Sequence, residues 1–262
     1  MIDLRQGDCL ELMKDIPDKS IDLTITSPPY DDLRSYNGAL NWNFEIFKKI
    51  AEELFRITKD GGIIVWIVED KTIKGSETGT SFKQALYFKE IGFNLHDTMI
   101  WEKQTFTDTG SLKTRYGNVF EYMFILSKGK PKTFNPIIDR INKTNGRKKS
   151  GTIRQKDGNV KKISSIGKSI NVYGQRFNIW KINTCISNNE RTGHPAQFPE
   201  QLVHDHIISW SNEGDIILDC FMGSGTTGVA CKKLNRNFIG IELDEKYFEI
   251  AKERIDNVPN SK

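Results

Sequence analysis

Asp215-Ile-Ile-Leu-Asp219-Cys-Phe-Met-Gly223-Ser224-Gly225-Thr226-Thr227-Gly228 reads as a short buried strand, a glycine turn and the first turn of a helix. Its letters satisfy G-x-G-x-x-G. A second apolar run, Phe238 to Glu242, closes on a carboxylate 19 positions after Gly223, where a ribose-binding acid belongs if an adenosine cofactor lies over the turn. The glycines would let the backbone approach that cofactor, and Glu242 would accept from two ribose hydroxyls. A tight strand-to-helix turn that binds nothing has the same letters.

Working outward, the rest of the chain alternates strands with helices. Ile2–Gln6 reads as a strand, Cys9 to Asp15 as a short helix closed by Pro17, and Ile21–Thr26 as a β-branched strand. Phe44, Phe47, Ile50, Ala51, Leu54 and Ile57 recur at spacings of three and four, one face of a helix that Gly61-Gly62 would end. Ile63 to Val68 follows as a buried strand, then a helix near Ser81 to Ile91 and strands near Met99 to Glu102 and Tyr122 to Ser127. After a long polar stretch, order returns with a helix from Phe198 to Trp210, the glycine turn, a helix from Thr226 to Leu234 and a last helix capped by Asp244. The pattern predicts an α/β fold, a doubly wound and mostly parallel Rossmann-like sheet with a terminal antiparallel hairpin strand, binding ligands at the carboxyl ends of its strands.

The second strand runs into Ser27-Pro28-Pro29-Tyr30. Two prolines donate no backbone hydrogen bonds and are stiff, so carbonyls and the Ser27 hydroxyl become fixed acceptors beside an aromatic ring. That combination suits a planar substrate bearing an amine, such as a nucleobase; a plain proline-rich loop with a surface tyrosine is the other reading of so short a string.

The 262 residues carry a net charge of only +4, but unevenly. Lys128 to Lys181 holds 15 Lys or Arg against Asp139 and Asp157, a local +13 that leaves the remainder at −9. A basic insert on an acidic body fits a polyanion partner, and fits a solvated loop as well. Four scattered cysteines without a Cys-x-x-Cys pair argue against a zinc site or a disulfide framework, so no metal is expected and a reducing cytoplasm is. No apolar run approaches the roughly 20 residues of a membrane span, and the N-terminus lacks a signal-peptide core.

Together the two motifs resemble the DNA amino-methyltransferases that modify the exocyclic nitrogen of cytosine (N4) or adenine (N6). Asp219-Cys-Phe-Met-Gly223-Ser-Gly225-Thr-Thr is similar to that family's S-adenosylmethionine loop, and Ser27-Pro28-Pro29-Tyr30 to its catalytic tetrapeptide. The catalytic motif comes first, then the basic insert, then His194-Pro-Ala-Gln-Phe198-Pro199 and the cofactor loop, which resembles the permuted β-class order. The resemblance implies three segments: residues 1–127 as the catalytic half of the core, 128–190 as the target-recognition insert, and 191–262 as the cofactor-binding half. It implies cofactor contacts from Asp8, His194, Pro195, Phe198, Asp219, Phe221, Gly223, Ser224, Gly225, Thr226, Thr227 and Glu242. It implies DNA contacts within the insert, for which Arg140, Lys143, Arg147, Lys148, Lys149, Arg154, Lys161, Lys162 and Arg176 are the candidates.

On that reading the partner is double-stranded DNA, with a cognate restriction endonuclease as a further one, and the enzyme works as a monomer or homodimer. A serine heading the tetrapeptide is associated in this family mainly with N4 of cytosine, an aspartate mainly with N6 of adenine. An N6-adenine enzyme is the first alternative. A nicotinamide-dependent oxidoreductase would explain the glycine turn and Glu242 but neither the proline tetrapeptide nor the basic insert. No cysteine follows a proline in the Ser27 loop, which speaks against cytosine-C5 chemistry through a thiolate.

Overall fold

The computed structural model describes residues 1–29, 42–103, 112–184 and 197–259. In chain order the elements are β1 (Ile2–Gln6), α1 (Cys9–Met13), β2 (Ile21–Thr26), α2 (Phe44–Ile57), β3 (Thr58–Val68), β4 (Thr72–Ile73), β5 (Ser76–Glu77), α3 (Thr80–Glu90), β6 (Asn94–Glu102) and β7 (Phe120–Ser127). Then come β8 (Arg140–Ile141), β9 (Thr152–Arg154), β10 (Val160–Lys162), β11 (Tyr173–Gly174), β12 (Ile179–Lys181), α4 (Glu200–Trp210), β13 (Ile216–Asp219), α5 (Thr226–Lys233), β14 (Asn237–Glu242) and α6 (Glu245–Asp256).

Eight strands form one sheet in the order β1-β14-β13-β2-β3-β7-β6-β12. Neighbours are parallel except at β7, which runs against both β3 and β6. The reversed strand is thus not at the edge, because β6 and β12 extend the sheet beyond it. Successive residues of β3 explain the layers: Ile63, Val65 and Ile67 pack with α4, α5 and α6, while Ile64, Trp66 and Val68 pack with α1, α2 and α3. With apolar side chains on both faces, the strand must be covered on both sides, and the sheet is doubly wound as expected.

One sequence expectation changes. Gly61-Gly62 does not terminate α2, which ends at Ile57; the glycines lie inside β3, in a bulge between the pairs Ile21↔Thr58 and Leu23↔Ile63. Gly61 has φ +85 and donates its N–H to the Lys128 carbonyl, and a Cβ there would stand 2.5 Å from Lys132 Cγ and 3.0 Å from the Lys130 carbonyl. Part of the expected insert, residues 136–177, forms a compact unit of its own. The chain divides into two compact units, residues 1–135 with 178–262, and residues 136–177. β12 belongs to the first, pairing in parallel with β6 and burying Trp180; a three-residue strand with one buried residue leaves no periodicity to read.

Candidate active site

β1, β14, β13 and β2 are adjacent and parallel, so their carboxyl ends share one edge of the sheet. After β13 the chain enters α5 on one face, and after β2 it proceeds to α2 on the other. The crevice between β13 and β2 is therefore a topological switch point, the usual ligand position in such sheets. A cavity of about 260 Å³ opens there. Its wall includes Gly7 and Asp8 after β1, Glu242 ending β14, the Phe221–Ser224 turn, Thr226, Thr227, Ser27, Pro29 and Phe198.

Glu242 is held in place by two backbone donors. Gly223 N–H reaches Oε2 at 2.7 Å and Asp244 N–H reaches Oε1 at 2.9 Å. Each oxygen keeps acceptor capacity toward the cavity. Burial pushes the carboxyl above its ordinary value, opposed by those two hydrogen bonds. Gly223 adopts φ +53, which lets the turn fold its N–H back onto Glu242. Asp8 caps α1, accepting from Leu10 N–H at 2.7 Å, and also lines the cavity. Phe221 meets Trp42 edge-on at 5.7 Å, and both rings line the wall. Paired acceptors beside an aromatic wall fit a ribose and a planar base.

Three expected residues have other work. Asp219 is behind the wall: its carboxylate accepts from Thr26 Oγ1 at 2.7 Å, Thr227 Oγ1 at 2.6 Å and Phe221 N–H at 3.2 Å. Burial raises it to about 6 despite those bonds. Gly225, at φ +80, is a glycine because a Cβ would stand 2.8 Å from Ala251 Cβ. At Gly228 a Cβ would stand 2.4 Å from Ile255 Cδ1 and 2.7 Å from Phe238 Cε1. The second and third glycines of the motif thus seat α5 against α6 and β14, and only Gly223 lines the cavity.

Ser27 is half-buried on the wall, Pro28 and Pro29 are buried, and Pro29 also lines the cavity. Tyr30, His194 and Pro195 lie outside the described residues. The sequence reading missed Trp42, Ile46, Ile50 and Leu243 on the wall; Ile50 was visible only as a core-facing helix residue. Cys9 and Cys220 line the cavity too, but burial pushes the Cys9 thiol up to about 12 and Cys220 well above its usual range. Neither offers a thiolate at neutral pH.

Of the basic candidates, Arg140 and Arg176 are engaged inside their own unit: Arg140 Nε donates to Gln175 O at 2.9 Å, and Arg176 pairs with Asp139. Lys143, Arg147, Lys148, Lys149, Arg154, Lys161 and Lys162 are exposed. Among the described residues, no group of three or more His, Cys, Asp or Glu could hold a metal ion, and no helix is long and apolar enough to cross a membrane.

A doubly wound sheet whose switch-point crevice is lined by a carboxylate, a glycine turn and the Ser27 loop has the layout of a nucleotide-cofactor enzyme. The chain belongs to the DNA methylase family of N6 and N4 amino-methyltransferases, which matches residues 21–253. It is 53% identical over 253 residues to the orphan methyltransferase M.BamHII of Bacillus amyloliquefaciens, covering 94% of this chain and 92% of that protein. The structure of the M1.HpyAVI-SAM complex is similar with TM-score 0.68 and 27% identity, covering 98% of this chain and all of that one. The cytosine-N4-specific PvuII DNA methyltransferase shares the fold, with TM-score 0.73 at 22% identity over 98% of this chain and 88% of that one. The protein is an S-adenosylmethionine-dependent DNA amino-methyltransferase of the permuted β class. The oxidoreductase reading falls with that membership.

Proposed function

We propose that this enzyme methylates the exocyclic N4 of a cytosine flipped out of double-stranded DNA. The observation that carries the reading is the presence of Ser27 and Pro29 on the same cavity wall as Phe221, Gly223 and Glu242. Bound there, S-adenosylmethionine supplies a methyl group activated by its sulfonium. Glu242 would hold the ribose hydroxyls, Asp8 would lie near the adenine, and the Trp42–Phe221 pair would pack against the planar base.

The chain's own part in the chemistry follows from the acceptor. An amino group on a nucleobase is a weak nucleophile because its lone pair is delocalised into the ring. Ser27 Oγ and the Pro28 carbonyl would each accept one amino hydrogen, localising that lone pair on nitrogen as positive charge develops. Holding both reactants in one cavity supplies much of the remaining acceleration. The amino nitrogen gains the methyl carbon as the carbon–sulfur bond breaks with its electron pair left on sulfur, which yields S-adenosylhomocysteine, and the nitrogen gives up one proton to water, with no covalent enzyme intermediate. Tyr30 would stack on the extruded base, since a paired base cannot reach the cavity.

Cytosine is favoured over adenine by the serine at position 27, as the family resemblance associates it. The reading extends to a cytoplasmic restriction-modification system with a cognate endonuclease, in which this enzyme acts as monomer or homodimer. Nucleosides from methylated DNA, separated by mass spectrometry, test it: N4-methylcytosine is expected, and a product holding only N6-methyladenine overturns the choice of base. Protection of the methylated DNA from an endonuclease of the same cell tests the pairing.

A further inference from the structure

Helix α6 reaches the glycine turn from outside the cavity. Gly225 packs so closely on Ala251 of α6 that a Cβ has no room between them. Arg254 follows Ala251 by three residues on the same helix face, and helical side chains lean toward the helix N-terminus. The guanidinium is thereby carried back to the turn. Arg254 Nη1 donates to the Ser224 carbonyl and stands 3.2 Å from Ser224 Oγ and 3.4 Å from Thr226 Oγ1. Arg254 is half-buried and does not line the cavity, whereas Ser224 and Thr226 are buried and do.

The chemistry of the donor decides what the two hydroxyls can offer. A guanidinium has donors only and keeps its charge across the pH range of a folded protein. A hydroxyl that accepts from it must turn its own hydrogen elsewhere. Among the described residues, neither the Ser224 nor the Thr226 hydroxyl donates to a protein acceptor. Thr227 differs, because its hydroxyl hydrogen goes to Asp219 Oδ2 at 2.6 Å. Two polarised O–H donors are thus left on the cavity wall, set by a cation that stands outside it.

Elsewhere the wall has the opposite character. Asp8 and Glu242 bring carboxylates to it, which suit hydroxyl groups and repel an anion. S-adenosylmethionine has a single anionic group, the α-carboxylate of its methionine part. Donors at Ser224 and Thr226 and acceptors at Glu242 therefore sort the two ends of the molecule, and a carboxylate takes the stronger, charge-assisted bonds.

We propose that Arg254 is a positioning residue for the cofactor: it fixes the hydroxyls of Ser224 and Thr226 as donors to the carboxylate of S-adenosylmethionine. The inference concerns the cofactor alone and is independent of which base receives the methyl group.

Calorimetry on the full-length enzyme without DNA tests it, with S-adenosylmethionine and decarboxylated S-adenosylmethionine as ligands. The two differ only in the carboxylate, so the ratio of their affinities isolates that group. The wild type should prefer the carboxylated form by about ten- to a hundredfold. Arg254→Met should cut this preference by about fivefold or more and leave affinity for the decarboxylated form within about twofold. Arg254→Lys, which keeps a charge and donors on one nitrogen, should restore part of the preference. Ser224→Ala/Thr226→Val should lose it too, and adding Arg254→Met to that pair should change the ratio no further, because the arginine acts through those hydroxyls. A wild type without the preference, an unchanged ratio in Arg254→Met, equal loss for both ligands, or further loss in the triple variant overturns the proposal. If Arg254→Met does not fold, Arg254→Lys and Ser224→Ala/Thr226→Val carry the test, and a wild-type ratio in either overturns it.

Discussion

Thr26 Oγ1 donates to Asp219 Oδ1 at 2.7 Å, a buried bond between residues 193 apart in sequence. It ties the end of β2, directly before Ser27, to the end of β13, directly before the cofactor turn. Thr227 fastens the start of α5 to the same carboxylate. The Ser27 loop and the glycine turn are thereby set by one side chain that does not itself line the cavity.

That carboxyl predicts a pH signature. Asp219 titrates at about 6 when folded, against an ordinary 3.8, chiefly through burial. The unfolded chain gives up this proton first, so the contribution to stability is full below about 4 and is lost as pH rises through about 6. Asp219→Asn removes the titration and keeps an oxygen acceptor. The melting-temperature difference between variant and wild type should shift in the variant's favour from pH 4 to 6.5; a constant difference rejects the assignment.

Glu242→Ala should weaken S-adenosylmethionine binding by roughly 1.5 to 3 kcal/mol, the size of charge-assisted hydrogen bonds. It should also lower the melting temperature, because Gly223 and Asp244 N–H lose their acceptor. In the wild type, affinity should fall as acid protonates Glu242, at a higher pH than for an ordinary carboxylate, since burial raises it. Calorimetry across pH checks both; wild-type affinity in the variant rejects the ribose role.

Ser27→Ala should lower turnover far more than cofactor affinity, because the substitution removes one acceptor where charge develops. Single-turnover kinetics beside a cofactor titration separate the two. Undiminished turnover rejects the acceptor role.

Gly228→Ala should destabilise the protein by about 1 to 3 kcal/mol through overpacking against Ile255 and Phe238. Trimming the neighbour in Gly228→Ala/Ile255→Val should restore part of that loss. Denaturant unfolding of the two variants reads the coupling, and purely additive effects would count against the packing role.

Replacing Arg147, Lys148 and Lys149 by alanine should flatten the salt dependence of DNA binding, by about 0.9 in the log-log slope for each phosphate that these cations neutralise in the wild type. A slope equal to the wild type's would mark the cluster as solvated surface.

Local periodicity determined much of this protein. Strands β1 and β2 and helix α2 stand at the residues where apolar spacing placed them, and Glu242 reaches the glycine turn as its distance along the chain implied. These are signals within a few turns of chain, where burial of one face selects the element. Tertiary structure alone decided what those residues face. It turned Asp219 from the cavity to Thr26 and Thr227, gave Gly225 and Gly228 to helix packing, and brought Trp42 to Phe221. It also separated the fastened Arg140 and Arg176 from the exposed cations of the same compact unit. Composition counts a charge or a glycine identically wherever it falls; which atom it meets is fixed only when distant strands are laid side by side.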